Sequence, residues 1–258
     1  MRKALTLFSV WLAYMLEYRA ELFLWALSGA LPLILLGVWQ EAAGSGAFPL
    51  SQAEFARYFL MVFLVRQLTV VWVVWQFEED LVQGKLSHKL LRPLDPFWEY
   101  LLAHLAEQAA RLPFVLLLLT LFLFLYPEAR FLPKAPDLLM GLGLTALAFF
   151  ARFLMQYALA LLAFWTERAI KLEELWFVLY LFLSGLIAPL EVFPEPVRTL
   201  ALLTPFPYLV YLPAAFLAGQ KTSLFPGLWV LLLWMSAFFL LGRALWRLGL
   251  NRYSGQGA

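Results

Sequence analysis

The sequence predicts an all-α polytopic membrane protein: six transmembrane helices, with an interfacial helix before the first and re-entrant helices between spans five and six. Three observations carry this reading. Of 258 residues, 64% are hydrophobic and 14% charged, with a mean hydropathy of +0.80, against about 45 to 50% apolar and about 25% charged in soluble domains. Six apolar runs, near 22–40, 55–77, 101–125, 136–165, 174–190 and 224–246, approach or exceed the length that crosses a bilayer. These runs are continuous Leu, Phe and Ala rather than alternating, and backbone in hydrocarbon must satisfy itself, which selects helices over a barrel.

At the N-terminus, "MRKALTLFSVWLAYMLEYRAELF" has no small-residue cleavage site and keeps Glu17, Arg19 and Glu21 beyond its apolar part, so it is expected to stay attached. Phe8, Trp11, Tyr14 and Tyr18 recur three or four apart, as in a helix lying in the interface; an early extension of span one is the alternative. Between spans five and six, Pro205, Pro207 and Pro213 interrupt an apolar stretch too short to cross, which predicts a re-entrant or interfacial element. No polar stretch is long enough to hold its own core, so 1–258 is expected to be a single membrane domain. Trp39, Trp98, Trp229 and Trp246 fall near span ends, where an aromatic belt would anchor the bundle.

Lys and Arg set the expected orientation. Arg2, Lys3, Arg19, Lys85, Lys89, Arg92, Arg168, Lys171, Arg243, Arg247 and Arg252 fall on one side of the six spans; Arg130, Lys134, Arg198 and Lys221 fall on the other. This bias puts both termini in the cytoplasm of a multi-pass protein of the cell (inner) membrane. It makes "FEEDLVQGKLSHKLLRPLDPFWEY", 77–100, the largest cytoplasmic loop and "TERAIKLEE", 166–174, the second. Within the first, Leu86, Leu90, Leu91 and Leu94 fall on one side of a short helix ringed by Lys85, Lys89 and Arg92. Gly84 precedes that helix, and Pro93 and Pro96 end it. Such an element lies on the membrane or presents a face to a soluble partner, while a plain solvated loop fits the charge equally well.

Polar residues inside the spans need a reason, because a charge at the bilayer centre costs about 2.5 to 3.5 kcal/mol on insertion scales. Arg66 and Gln67 sit in span two, Glu107, Gln108 and Arg111 in span three, and Arg152 and Gln156 in span four. Glu107 and Arg111 have the i,i+4 spacing of an intrahelical pair. Arg66 has no partner in its own span; it snorkels, meets Glu107, or, like Arg152, lines a path or subunit interface where an anionic lipid-like substrate passes.

No catalytic or metal-binding set is legible. His88 and His104 belong to no H-E-x-x-H array, and Ser45 in "AAGSGAF" has no histidine on its side of the membrane and reads as a turn. Cysteine is absent, which excludes disulfides, thiol chemistry and sulfur-ligated metals. No G-x-x-x-x-G-K-[ST] occurs, so the chain does not bind ATP in the P-loop manner. No nucleic-acid partner is expected.

"GKLSHKLLRPLDP" resembles the "G-x-L-x-x-x-L-L-[RK]-P-L-x-P" signature in the first cytoplasmic loop of ABC-2 type transporter permeases, in particular the six-span subfamily encoded without an ATPase. "SGLIAPLEVFPEPVRTLALLTPFPYLVYLPAAFLAG", 184–219, is similar to that family's segment between spans five and six, with Pro189, Phe193, Pro194, Pro205, Phe206, Pro207, Pro213 and Gly219 in the same order. The resemblance implies that Gly84, Lys85, Leu86, Leu90, Leu91, Arg92, Pro93 and Leu94 form a coupling helix on a cytoplasmic ABC ATPase, with Arg168 and Lys171 as a second contact. It implies that the Pro-rich segment is a hydrophobic outer gate, and that the N-terminal helix is a connecting helix. It further implies ATP and Mg on the partner ATPase, none on this chain, and a second permease half, identical or related. The expected function is the membrane subunit of an ATP-binding cassette exporter of an amphipathic or lipid-like substrate. The rivals are a non-transporting scaffold or accessory protein, and a channel, which would need polar rings that the spans lack.

Overall fold

Leu, Phe, Val and Ala runs leave the backbone in lipid no polar partner but itself, and the chain folds accordingly into helices. The computed structural model describes residues 2–44, 46, 48–131, 133–166, 168–220 and 224–253, with no strand among them. Ser45, Glu167 and Lys221 lie outside the described residues.

In chain order, α1 (Arg2–Glu17) packs along the later helix α7 (Pro96–Leu125). The first span is α2 (Arg19–Ser28) and α3 (Leu31–Ala43), parted by a turn at Gly29 and Ala30. The second is α4 (Gln52–Leu68) and α5 (Val73–Val82), broken over 69–72. A short loop helix, α6 (Lys85–Leu90), leads into α7, the third span, and α8 (Ala135–Leu161) forms the fourth. Then come α9 (Ala169–Leu183), the short helices α10 (Glu195–Leu203), α11 (Phe206–Leu209) and α12 (Tyr211–Leu217), and the long α13 (Leu224–Arg252).

The expected N-terminal helix is present as a separate element, ending before a turn at Tyr18. Among the described residues, five helical segments, Arg19–Ala43, Gln52–Val82, Pro96–Leu125, Ala135–Phe164 and Leu224–Arg252, are long and apolar enough to cross a membrane. The remaining expected span, 174–190, takes a different form. Its helix, α9, starts earlier, at Ala169, and has only 15 residues, about 22 Å at 1.5 Å per residue. Gly185 then turns the chain with φ +86°, and Pro189 has no amide hydrogen with which to resume a helix.

The irregular backbone from Ser184 to Pro189 survives because it is buried in protein, not lipid. Tyr58 donates its hydroxyl to Gly185 O at 2.7 Å, Trp39 Nε1 donates to Ile187 O at 2.8 Å, and Tyr211 N donates to Ser184 O at 2.9 Å. Local caps fix the long helices. Ser51 and Glu54 form a reciprocal capping box at the start of α4, and Asp95 accepts from Phe97 N at 3.0 Å ahead of α7.

Two apolar cores are stacked along the bundle. The larger gathers Phe55, Tyr58, Phe59 and Phe63 of α4 against Leu186, Leu209 and Leu212. The smaller gathers Val74 and Phe77 of α5, Leu86 of α6, Tyr100 of α7, and Phe153 and Tyr157 of α8. The break in span two falls between them, since Val65 belongs to one core and Val71 to the other. Trp246 corrects the belt expectation: it is buried in the smaller core, with ring centroids 6.3 Å from Phe77 and 6.1 Å from Phe164. Trp98 and Trp229 are exposed, as a belt requires.

A Cβ on Gly185 would stand 2.6 Å from the Tyr58 hydroxyl and 2.7 Å from Tyr211 Cβ. Gly185→Ala is therefore expected to lose about 1 to 3 kcal/mol through backbone strain alone, with the clash added. Gly143→Ala, which meets nothing within 4 Å, is the control. Thermal unfolding in detergent should lower the midpoint for the first and not for the second.

Candidate functional site

Gly84, at φ +70°, reverses the chain between α5 and α6, a conformation that a side chain disfavours. The loop helix that follows is tied to both neighbouring spans. Lys89 Nζ lies 2.6 Å from Asp80 Oδ2 of α5 and 3.3 Å from Glu99 Oε1 of α7, and over the Tyr100 ring at 4.2 Å. Tyr100 donates its hydroxyl to Asp80 at 2.6 Å, and Arg92 pairs with Glu99 at 3.1 Å. Leu86 is fully buried beneath, and Ser87 shares a 2.8 Å hydrogen bond with Tyr253, just after α13. Lys85 pairs with Glu79 at 2.8 Å, and that hydrogen bond raises the lysine's pKa above its ordinary value. These side chains make α6 one body with the ends of α5 and α7.

The single leucine face expected for 86–94 is not formed. The helix stops at Leu90, because Pro93 disfavours helical backbone before it, so Leu91 and Leu94 fall outside it. Leu86 points inward while Leu91 is 86% exposed. The outer surface presents Lys85, His88, Leu91, Arg92 and Pro93. Arg168 and Lys171 are also exposed, near the start of α9. Glu78 of α5 accepts from Ile170 N at 2.9 Å, which fastens the start of α9 to the end of α5.

The Pro-rich residues are mostly packing. Pro189, Pro205, Phe206, Pro207 and Pro213 are buried, Phe193 is half-buried, and Pro194 and Gly219 are exposed. Phe206 meets Trp176 of α9 with centroids 5.8 Å apart, and the Tyr211 hydroxyl donates to Glu191. None of these residues lines the two cavities described below.

The intramembrane polar residues converge. Arg66 does not reach Glu107; its Nη1 donates to Gly29 O at 3.0 Å, and Gln67 Nε2 donates to Ala26 O at 2.6 Å. Both acceptors flank the break in span one. At the break in span two, Trp72 N donates to His104 Nε2 at 3.1 Å, and Trp72 Nε1 to Glu107 Oε2 at 2.8 Å. His104 Nε2 accepts, so the ring proton sits on Nδ1, 2.7 Å from Tyr100 O. Glu107 and Arg111 form the expected pair, with Nη2 to Oε1 at 3.0 Å. Arg152 donates to the Tyr180 hydroxyl at 3.0 Å, and Gln156 to Glu173 Oε1 at 3.0 Å.

Two cavities meet at this cluster. One, of about 810 Å³, is lined by Arg111, Arg152, Glu107 and Glu173 with Val71, Trp75 and Phe177. The other, of about 430 Å³, lies between α1, α2, α5, α6 and α7, and includes Glu79, Asp80, Lys89 and Glu99. Trp25, Trp72 and Glu107 line both, and the two indoles stand edge to face at 5.5 Å as a partition. Sequence reasoning missed Trp25, Trp72, Glu78 and Glu173. A signal was available for part of this: His104, Glu107 and Arg111 recur at i, i+3 and i+7, one helical stripe.

Residues 33–257 match the sequence profile of the family described as ABC-2 family transporter protein. The chain belongs to that family. No curated protein matches it. As an ABC-2 transporter chain it is the membrane domain, a permease subunit of an ABC transporter, and the family implies association with an ATP-binding subunit. Its long apolar helices make it a multi-pass membrane protein.

Lys89 bridges two buried carboxylates, so Lys89→Met leaves Asp80 and Glu99 facing each other. The expected loss is about 3 kcal/mol, the lower end for breaking a buried ion pair, with faster amide hydrogen exchange across 85–92. His104→Ala strands the Trp72 amide and is expected to cost about 1 to 3 kcal/mol, read as a lower thermal midpoint.

Proposed function

We propose that this ABC-2 permease is the membrane half of an exporter, with α6 as the lever on which a cytoplasmic ATPase acts. The carrying observation is the division of the loop helix and the turn after it into an anchored underside, Leu86 and Lys89 of α6, and an exposed tip, His88 of α6 with Leu91 and Arg92 just beyond its end. Force on that tip passes through Asp80 into α5 and through Glu99 into α7. Through Glu78 it also reaches the start of α9, so the contact at Arg168 and Lys171 moves with the first. The break over 69–72 gives span two a place to bend between the two cores.

In this reading the ATPase binds ATP and Mg, and nucleotide-driven closure of two ATPase copies tilts the spans between inward-open and outward-open states. A second permease half, a copy of this chain or a related one, completes the unit. Residues 1–258 act as one membrane domain in the cell (inner) membrane, with both termini cytoplasmic. The Pro-rich helices α10 to α12 cap the outer end as an apolar gate, which suits an amphipathic or lipid-like substrate better than an ion.

Because the chain has no cysteine, single-cysteine labelling tests orientation directly. His88→Cys should be shielded from an impermeant maleimide in intact cells and Arg198→Cys should react; the reverse pattern sinks the lever. Leu91→Glu, on the exposed tip, should leave the thermal midpoint within about 0.5 kcal/mol yet abolish co-purification of the ATPase. Undiminished co-purification and ATPase stimulation would place the contact elsewhere.

A further inference from the structure

The arginines of the larger cavity have more donors than the protein satisfies. Arg111 and Arg152 are 3% and 5% exposed, yet the Nε of each has no hydrogen-bond partner. A guanidinium carries five N–H donors. Arg152 donates one to Tyr180, and its carbon lies 4.4 Å and 5.5 Å from the Tyr180 and Trp176 ring centres. The Nη2 of Arg111 is 3.0 Å from Glu107 but lacks hydrogen-bond alignment.

The facing carboxylates do not satisfy these donors. Glu107 serves Arg111 and Trp72, Glu173 accepts from Gln156, and Glu174 is neutralised by Lys171 at 2.7 Å. Arg111 and Arg152 line the cavity with Glu107, Glu173 and the Lys171-paired Glu174, so its charges are matched, but Nε and Nη2 of Arg111 and Nε of Arg152 lack acceptors beside an otherwise apolar wall of Val70, Val71, Trp75, Phe177 and Val178. Burying cationic donors without acceptors is unfavourable unless an anion completes them. At about 810 Å³ the space is of ligand-binding size. It opens on the side of the bundle between Trp25, Trp75 and Val178, which are 46%, 39% and 48% exposed.

We propose that this cavity binds an amphipathic anion that enters sideways, its phosphate or carboxylate head between Arg111 and Arg152 and its hydrocarbon against Trp75, Phe177 and Val178. The inference deepens the transport reading by naming the ligand class. Its test contains neither ATPase nor nucleotide, so failure here leaves the lever standing, and failure of the lever leaves this site standing.

The test is native mass spectrometry of the detergent-purified full chain, offered phosphatidylglycerol, phosphatidylcholine, dodecyl phosphate or inorganic phosphate. One phosphatidylglycerol should be retained per chain at about tenfold or more over phosphatidylcholine, and dodecyl phosphate, but not inorganic phosphate, should displace it. Arg152→Gln should lower retention about tenfold or more, the loss of one charged hydrogen bond, and Arg152→Lys should restore part of it. Val178→Trp, on the exposed rim, should also lower retention without touching an arginine, which keeps the test decisive if Arg152→Gln does not fold. Arg198→Gln should change nothing. Equal retention of the two lipids, displacement by inorganic phosphate alone, or full retention in both Arg152→Gln and Val178→Trp would overturn the proposal.

Discussion

Two membrane spans are broken near their midpoints, and the rest of the structure depends on how those breaks are satisfied. In lipid an unpaired amide or carbonyl has no water to turn to, so a broken helix persists only where neighbouring side chains supply partners. Here the breaks serve each other. Arg66 and Gln67, at the end of α4, donate to carbonyls at the break in span one, while His104 and Glu107 of span three hold Trp72 at the break in span two. Residues that would be anomalous in an apolar helix become the means by which two adjacent helices are interrupted at one level.

That interruption separates the bundle into two packed regions. Above the break, counting toward the Pro-rich segment, aromatic residues of α4 pack against α12 and share one core with residues of α9 and α11. Below it, Phe77, Tyr100, Tyr157 and Trp246 lock α5, α7, α8 and α13 around the buried Leu86 of the loop helix. Packed regions of this kind move as bodies rather than deform continuously. A loop helix is fastened by Lys89 to two spans, and the two broken spans are interrupted at one level between the packed regions. The partition formed by Trp25 and Trp72 lies at the same level, so bending there would also change the barrier between the two cavities.

The Pro-rich segment shows how far motif order and structural role can diverge. Prolines stand in the first turns of α10 and α11, where a missing amide hydrogen costs nothing, and α11 and α12 fold inward onto α8, α12 also onto α4. Pro189, Pro205, Phe206, Pro207 and Pro213 are buried there, in protein, around the irregular backbone. The hydrogen bonds of Tyr58, Trp39 and Tyr211 to residues 184–187 complete that shielding.

The sequence by itself determined the solvent, the helical class, most of the spans, the loop bounded by Gly84 and Pro93, and the Glu107–Arg111 pair. Each of these depends on composition or on spacing within one helix, which bilayer thickness and the helical repeat make readable along the chain. It also carried the family resemblance, through two motifs at 84–96 and 184–219. Only the tertiary structure decided that α9 is short, that Trp246 is core rather than belt, that Leu86 and Leu91 point apart, and that Arg66 serves Gly29 rather than Glu107. Those outcomes depend on which helices become neighbours. Contacts between residues far apart in the chain leave no periodic trace in a single sequence, whereas apolar length and i,i+4 spacing do.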